Sequence, residues 1–162
     1  MFIGGARPVA EAGEYMSVDF SMLRTPQTFN GIGAGKLPGH LGIVITEVSA
    51  ARVSGELPVV ESVMAPNGYL HAGTIVTLAD TVSGYGCIAN LPAGAAGFTT
   101  IELKSNHLGT TLDGTIVAVA TPLHRGKTTQ VWDAVVTHKE SGRTLAVFRC
   151  TQMILYATPK AT

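Results

Sequence analysis

Residues 67–86 read "NGYLHAGTIVTLADTVSGYG" and give the clearest structural signal in the chain. At 100° per residue, the apolar side chains from Ile75 onward fall on one stripe, which predicts a helix of about five turns. The stripe comprises Ile75, Leu78, Ala79, Val82, Tyr85, Gly86 and Ala89. Asn90, Pro92 and Gly94 supply the stop signals expected after such a helix. We therefore predict a long helix that packs its apolar stripe against a sheet.

Segments on both sides of this helix have the pattern of β-strands. Two precede it, "LGIVITEVS" (41–49) and "RVSGELPVVES" (52–62), and Pro58 in the second favours a sheet edge or the end of a strand. Four β-branched and aromatic segments follow it: "FTTIELKSNHL", "GTIVAVATPLH", "TTQVWDAVVTHK" and "TLAVFRCTQMILY". Short turns between these four predict an antiparallel meander, completed by the first pair of strands. The order predicts an α+β domain, one long helix against one antiparallel sheet.

The composition indicates a compact globular protein that associates with itself. The chain has 162 residues, of which 46% are hydrophobic and 14% charged, and its formal net charge is zero. Zero net charge argues against a nucleic-acid surface. Because one helix covers only part of one sheet face, the remaining apolar surface predicts an oligomer, most simply a symmetric dimer.

Further sequence features indicate the cellular location, the extent of the domain and the state of the cysteines. No apolar stretch is long enough to span a membrane, the start lacks a secretion signal, and the cytoplasm is the expected location. Residues 1–16 are predicted to be a disordered leader or an added extension, and 17–162 a single domain with a short helix near 21–29. Cys87 and Cys150 lie in apolar runs, which predicts buried free thiols. No His/Cys spacing resembles a metal site, and we predict no metal.

Asp80 is a carboxylate inside the predicted helix, about 140° from Ile75 and therefore off the apolar stripe. A solvated face would carry other charges, but its neighbours there are small or apolar. They are Gly73, Val76, Thr77, Ser83, Gly84 and Cys87. We expect another subunit or a ligand to cover this face, which raises the pKa of Asp80 and suits a general base or nucleophile. A surface aspartate, or one paired with a distant Lys or Arg, remains the alternative.

The helix start offers hydrogen-bond donors. An Asn-Gly turn at 67–68 precedes His71 and the first helical residues, so free backbone N–H groups lie at a positive dipole end. Such groups can bind a carbonyl oxygen as negative charge develops on it. His71 taken alone is equally consistent with a helix cap or a core histidine.

The stretch "GYLHAGTIVTLADTVSGYG" resembles the signature of the PaaI-type hotdog-fold acyl-CoA thioesterases, which is G-x-x-H-G-G, six residues, and then Asp or Glu. The segments "LPGHLGI", "IELKSNHLG", "HRGKTTQVWDAVV" and "GRTLAVFRCTQ" extend the resemblance over most of the chain. The resemblance implies a hotdog fold, in which an antiparallel sheet wraps a long central helix. It also implies hydrolysis of an acyl-CoA thioester to free acid and CoA without a cofactor, by a homodimer or homotetramer whose site lies at the dimer interface.

The resemblance also implies residue roles. Asp80 matches the acidic catalytic residue, which activates water or attacks the thioester, and the N–H of Ala72 matches the oxyanion donor. His71 matches the histidine that orients the substrate or the leaving thiolate, and it faces Asp80 of the other protomer. The chain departs from the family pattern twice: Ala72 replaces the first motif glycine, and Ala65 stands where the family often has Asn or Gln. Asn67 is the nearest substitute for that amide.

Substrate contacts are implied at several further positions. "GKTT" (126–129) matches a segment that contacts CoA, with Arg125 and Lys127 near phosphates, although solvated charges are the alternative. His107 is implied near the acyl pocket, and an edge or core histidine fits equally well. The full predicted set is Gly73, Ser83, Gly84, His107, Arg125, Gly126, Lys127, Thr128 and Thr129. A hotdog hydratase or dehydratase and a non-catalytic acyl-CoA-binding oligomer remain alternative functions.

Overall fold

A long helix lies against one face of a six-stranded antiparallel sheet in the computed structural model, which describes residues 25–157. The helices are α1 (Pro26–Gly33), α2 (Leu37–His40) and α3 (Ala72–Ala89), with a 3-10 turn at Glu61–Val63. The strands are β1 (Val44–Val48), β2 (Val53–Pro58), β3 (Ala95–His107), β4 (Thr115–Arg125), β5 (Thr129–His138) and β6 (Thr144–Tyr156). The predicted α+β class, the long helix and its place in the strand order are confirmed. Pro58 is the last residue of β2, so it marks the end of a strand, one of the two positions predicted for it.

The predicted meander is wrong for one strand. The sheet order is β1-β2-β4-β5-β6-β3, so β3 pairs with β6 and not with β4. The segment 108–114 carries the chain back across the sheet to β4, where the carbonyls of Thr111 and Gly114 accept from the N–H groups of Leu70 and Val59. This crossover leaves β3, 13 residues long, as one edge of the sheet and the short β1 as the other.

The first helix starts later than the sequence predicted. It spans Pro26–Gly33 instead of 21–29, and residues 21–24 lie outside the described part of the chain. Pro26 suits a first helical position, and the Thr25 hydroxyl caps the helix by accepting from the Thr28 N–H at 3.3 Å. Asn30 fastens the helix to β1, because its amide exchanges two hydrogen bonds with the backbone of Ile45. The predicted leader and the predicted start of the domain remain predictions.

The apolar stripe of α3 forms the centre of the core, as predicted. Ile75, Leu78, Ala79 and Val82 are buried against the sheet. Gly86 allows the closest approach, since a Cβ at this position would lie 2.5 Å from the indole ring of Trp132. Tyr85 differs from the prediction: it is half-buried and stacks on Phe29 of α1, with ring centroids 4.5 Å apart, because α1 covers that side of α3.

Two smaller observations complete the fold. Cys87 and Cys150 are buried free thiols, as the apolar runs around them predicted. Among the helices of residues 25–157, none is long and apolar enough to cross a membrane.

Candidate active site

Asp80 lies in the middle of α3 and is half-buried. Burial raises its pKa above the ordinary value of 3.8. Its atom Oδ1 is shielded from solvent and accepts no hydrogen bond within residues 25–157, and no Lys or Arg in that range forms an ion pair with it. The alternative that Asp80 pairs with a distant Lys or Arg is therefore not supported by the described part of the chain.

The thiol of Cys150 is close enough to Asp80 for the carboxylate charge to affect its pKa. Burial first, and the nearby negative charge of Asp80 second, raise the pKa of Cys150 to about 11. Cys150 lies on β6 with its side chain turned toward the helix, between Trp132 on β5 and Leu103 on β3 in the strand register. The negative charge of Asp80 therefore acts on a buried group of the chain's own sheet.

The helix face around Asp80 is covered differently from what the sequence predicted. Ser83, Gly84 and Cys87 are buried by the chain's own sheet, so the expectation that a second subunit or a ligand covers them is wrong. The Ser83 hydroxyl donates to the Ala79 carbonyl at 2.8 Å, and a Cβ on Gly84 would lie 3.1 Å from the ring of Phe98. The sheet curls around this side of α3, which a helical wheel cannot reveal. Their predicted contact with substrate stays a prediction.

The open part of this face is the N-terminal end of α3. His71 is the N-cap, and its Nδ1 accepts a hydrogen bond from the Gly73 N–H at 2.8 Å. In the neutral imidazole this bond leaves the proton on Nε2, which becomes a donor at an exposed position. A larger residue at position 73 would disturb this cap, because a Cβ there would lie 2.9 Å from His71 Nδ1. His71 is therefore a helix cap with one donor still available.

The N–H of Ala72 is a second donor at the same helix end. As the first residue of α3 it has no intrahelical partner, and within residues 25–157 it donates no hydrogen bond. Both donors lie at the positive end of the helix dipole, which favours negative charge. Ala72 and Asp80 are about 12 Å apart along the helix axis, so within one chain they cannot contact the same carbonyl group.

The predicted CoA-contacting turn lies at the opposite end of α3. Arg125 Nη1 donates to Asn90 Oδ1 at 2.9 Å and to the Ala50 carbonyl at 3.1 Å, which ties the turn to the helix C-terminus. The Gly126 N–H donates to the Thr129 carbonyl, the Thr128 carbonyl accepts from the Ile154 N–H, and the Lys127 carbonyl accepts from the Tyr156 hydroxyl. One chain therefore does not bring this turn to His71, and its contact with phosphates stays a prediction.

Asn67 lies in a tight turn before the helix. Its Oδ1 accepts from the Tyr69 N–H at 3.2 Å, and Ala65 closes the turn by donating its N–H to the Tyr69 carbonyl at 2.7 Å. Gly68 supplies the positive φ of 82° that the turn requires. The side-chain oxygen of Asn67 is therefore engaged within the turn, and its predicted role in place of the amide missing at Ala65 is untested.

The core face of β3 carries two polar residues near its end: His107, which the sequence analysis named, and Ser105, which it did not. His107 is exposed at the end of the strand and pairs in register with Ala146. Two positions earlier, on the same face, Ser105 pairs with Phe148, and its hydroxyl is buried without a hydrogen bond in the described range. The alternation of "KSNH" would have placed Ser105 beside His107, but a lone strand serine carries no further signal.

Comparison with known proteins identifies the family. The family model described as Thioesterase superfamily matches residues 67–151, from the turn before α3 to the middle of β6. The chain belongs to the thioesterase superfamily. Over 111 residues this thioesterase is 35% identical to the 1,4-dihydroxy-2-naphthoyl-CoA hydrolase of Listeria monocytogenes, covering 68% of this chain and 89% of that protein. Over 131 residues it is 29% identical to the proofreading thioesterase EntH of Cronobacter sakazakii, covering 81% and 94% respectively.

Solved structures agree with these relatives. A thioesterase of Haemophilus influenzae superposes with a TM-score of 0.77 at 27% identity, covering 87% of this chain and all of that one. A mutant thioesterase of Pseudomonas aeruginosa superposes with the same TM-score of 0.77 at 25% identity, covering 81% of this chain and 94% of that one. The predicted family and hotdog fold are confirmed, and the thioesterase is an enzyme that hydrolyses thioesters.

Proposed function

We propose that the thioesterase hydrolyses an acyl-CoA thioester to a free acid and CoA, with Asp80 as the catalytic carboxylate. The observation that carries the proposal is Asp80 itself, a half-buried carboxylate with raised pKa, an unpartnered Oδ1 and no cation beside it in residues 25–157. Such a group can accept a proton or attack a carbonyl near neutral pH. The name of the Listeria relative, which denotes hydrolysis of a CoA thioester, supports CoA as the leaving group.

The chemistry follows from the groups at the two sites on α3. As a general base, Asp80 takes a proton from water while the water oxygen bonds to the thioester carbonyl carbon. The Ala72 N–H and His71 Nε2–H bind the resulting oxyanion. Collapse of this intermediate breaks the C–S bond, and the CoA thiolate takes the proton from Asp80. As a nucleophile, Asp80 would instead form an anhydride that water hydrolyses, and entry of oxygen-18 into the protein in one turnover would distinguish this route.

A homodimer is the smallest unit that can complete this site. The 13 residues of β3 form a sheet edge, and unpaired edges of this length favour pairing with another strand. Ile101 and Leu103 on this strand are 55% and 43% exposed, which favours burial against a second copy. Antiparallel pairing of two β3 edges reverses the direction of α3 between copies. The N-terminal donors of one helix can then approach Asp80 of the other.

The test is the Asp80→Asn variant, assayed for thiol release across short, long and aryl acyl-CoA thioesters. We expect turnover to fall about 10²- to 10⁴-fold, because the amide cannot accept a proton. Asp133→Asn is the matched control: Asp133 pairs with Arg149 on the sheet face away from α3, and its loss should leave turnover unchanged.

Three results would contradict the proposal. Unchanged turnover by the Asp80→Asn variant would exclude the assigned carboxylate. Tight binding of acyl-CoA by the wild-type protein without thiol release would favour the non-catalytic oligomer. Hydration of enoyl-CoA without thioester hydrolysis would favour a hydratase.

A further inference from the structure

The loop that leads into α3, here called the entry loop, comprises residues 59–71 and ends at His71, the N-cap of the helix. Hydrogen bonds fix its last two peptide units. The Leu70 N–H donates to the Thr111 carbonyl at 3.2 Å, and the His71 N–H donates to the Val63 carbonyl at 3.1 Å. The first of these bonds fastens the entry loop to the segment that crosses to β4, one residue before the cap.

The start of the entry loop is fastened to the same crossover segment, residues 108–114. The Val59 N–H donates to the Gly114 carbonyl at 2.9 Å. The crossover segment therefore holds the entry loop at both ends. Because the entry loop ends in the cap of α3, a shift of the crossover segment would displace the helix end that carries the free donors.

The turn between β5 and β6, residues 139–143, holds the crossover segment from the other side. The guanidinium of Arg143 donates from Nη2 to the Thr110 carbonyl, near the start of the segment. Directly after the segment, the Thr115 N–H donates to Glu140 Oε2 at 3.2 Å. A continuous series of contacts thus runs from this turn through the crossover segment to the entry loop.

Arg143 is the side chain of this turn that reaches the crossover segment itself. It is exposed, and an exposed arginine is commonly a solvated charge. Within residues 25–157, however, it forms no ion pair, and its contact is with a backbone carbonyl 33 residues away. The segment passes close beside it, because a Cβ on Gly109 would lie 3.9 Å from Arg143 Nε. The guanidinium therefore links two distant parts of the backbone.

We propose that Arg143 positions the oxyanion donors of the thioesterase through the crossover segment. The inference rests on the proposed function, in which the His71 Nε2–H and the Ala72 N–H bind the oxyanion. Without the guanidinium, the Thr110 carbonyl loses its side-chain donor, and the crossover segment can shift together with the bonded Leu70. Arg143 is a positioning residue, because it acts on the reaction through the helix cap. The oxyanion develops only in the transition state, so the defect appears in kcat and not in KM.

The experiment compares Arg143→Met and Arg143→Lys in steady-state hydrolysis of the acyl-CoA thioester that the wild type hydrolyses fastest. Methionine keeps the stem of the side chain and removes its donors, so we expect kcat to fall about tenfold with KM within about twofold. Lysine keeps a cationic donor and should retain kcat within about threefold. Arg52→Met is the matched control: Arg52 is an exposed arginine that pairs with Glu47 at 3.0 Å, and its loss should change neither constant.

Hydrogen exchange of backbone amides gives a readout that does not depend on catalysis. The Leu70 N–H is bonded to the crossover segment, whereas the Ile154 N–H donates to the Thr128 carbonyl in the turn at the other end of α3. We expect Arg143→Met to speed exchange of the Leu70 amide about tenfold, because the carbonyl that it contacts is held less firmly. Exchange of the Ile154 amide should stay at the wild-type rate.

The outcomes separate this inference from the proposed function. Wild-type kcat or wild-type exchange at Leu70 in Arg143→Met, with Asp80→Asn inactive, overturns the role of Arg143 and leaves the function standing. Full activity of Asp80→Asn overturns the function itself. A loss of kcat that Arg143→Lys does not restore, or that accompanies dissociation in light scattering, also overturns the inference. If Arg143→Met fails to fold, Arg143→Gln, whose shorter side chain carries no charge, replaces it with the same expected loss.

Discussion

The two ends of α3 are built in opposite ways. At the C-terminal end, Asn90 receives hydrogen bonds from Gln130 Nε2 at 2.8 Å and from Arg125 Nη1 at 2.9 Å, and Gln130 in turn accepts from Trp132 Nε1 at 2.9 Å. Gln130 and Trp132 are fully buried. At the N-terminal end the cap is His71 itself, an exposed side chain bonded two residues along its own chain.

This difference explains where the donors of the site can be. A helix end that is closed by buried side chains has no free polar groups to offer, and it fixes the position of the helix on the sheet. An end that is capped only locally keeps N–H groups unpaired and reachable. The closed end therefore holds the open end and Asp80 in place against the sheet.

Gly86→Ala tests the closed end and has the largest expected effect on stability. Alanine would normally stabilise a helix interior by about 1 kcal/mol, but the new Cβ would lie 2.5 Å from the rigid indole of Trp132. We expect a net loss of about 1–3 kcal/mol in the free energy of unfolding, measured with urea. Gly31→Ala in α1 is the control, because its added Cβ meets no atom within 4 Å and should stabilise. Equal stability of the two variants would show that the closed end tolerates expansion.

Gly73→Ala tests the open end, where we expect about 1 kcal/mol of destabilisation. The added Cβ would lie 2.9 Å from His71 Nδ1 and would displace the ring that caps the helix. Because Nε2 moves with the ring, hydrolysis should fall about tenfold, while far-UV circular dichroism stays at the wild-type level. Wild-type activity in this variant would show that the position of His71 does not matter to the reaction.

Asp80→Asn tests the middle of the helix through the dependence of stability on pH. Burial raises the pKa of Asp80 above 3.8, so the folded protein binds more protons than the unfolded one between pH 3.8 and the raised pKa. Stability of the wild type therefore falls as pH rises through this window, by about 1.4 kcal/mol for each pH unit that separates the folded and unfolded pKa values.

Asp80→Asn has no charge at this position, so its stability does not fall as pH rises through this window. It should therefore unfold at a higher urea concentration than the wild type at neutral pH. The difference should vanish below pH 3.8, where both states of the wild type are protonated. A difference that persists at low pH would assign the effect to packing and not to the charge. In the wild type, loss of activity on the acid side should have its midpoint above 3.8 for the same reason.

The sequence predicted α3 and Asp80 because both depend on local spacing. A period of 3.6 residues fixes which side chains share a helix face, and it placed Asp80 off the stripe that packs on the sheet. Strand pairing is not local: alternation in β3 predicts a strand but does not name its neighbour, and β3 pairs with β6. The curl of the sheet over Ser83 and Cys87 was unpredictable for the same reason. The position of Ser105 on the core face of β3 likewise follows only from its register with Phe148.

Burial of the two thiols has a practical consequence for every assay proposed above. Cys87 and Cys150 are the only cysteines of the chain, and burial raises the pKa of Cys87 to about 12 and of Cys150 to about 11. Both side chains are 0% exposed. Since thiolates and not thiols react with disulfide reagents, the folded protein should consume no chromogenic thiol reagent. Colour that develops during turnover then reports released CoA alone, and slow colour without substrate becomes a sensitive signal of unfolding.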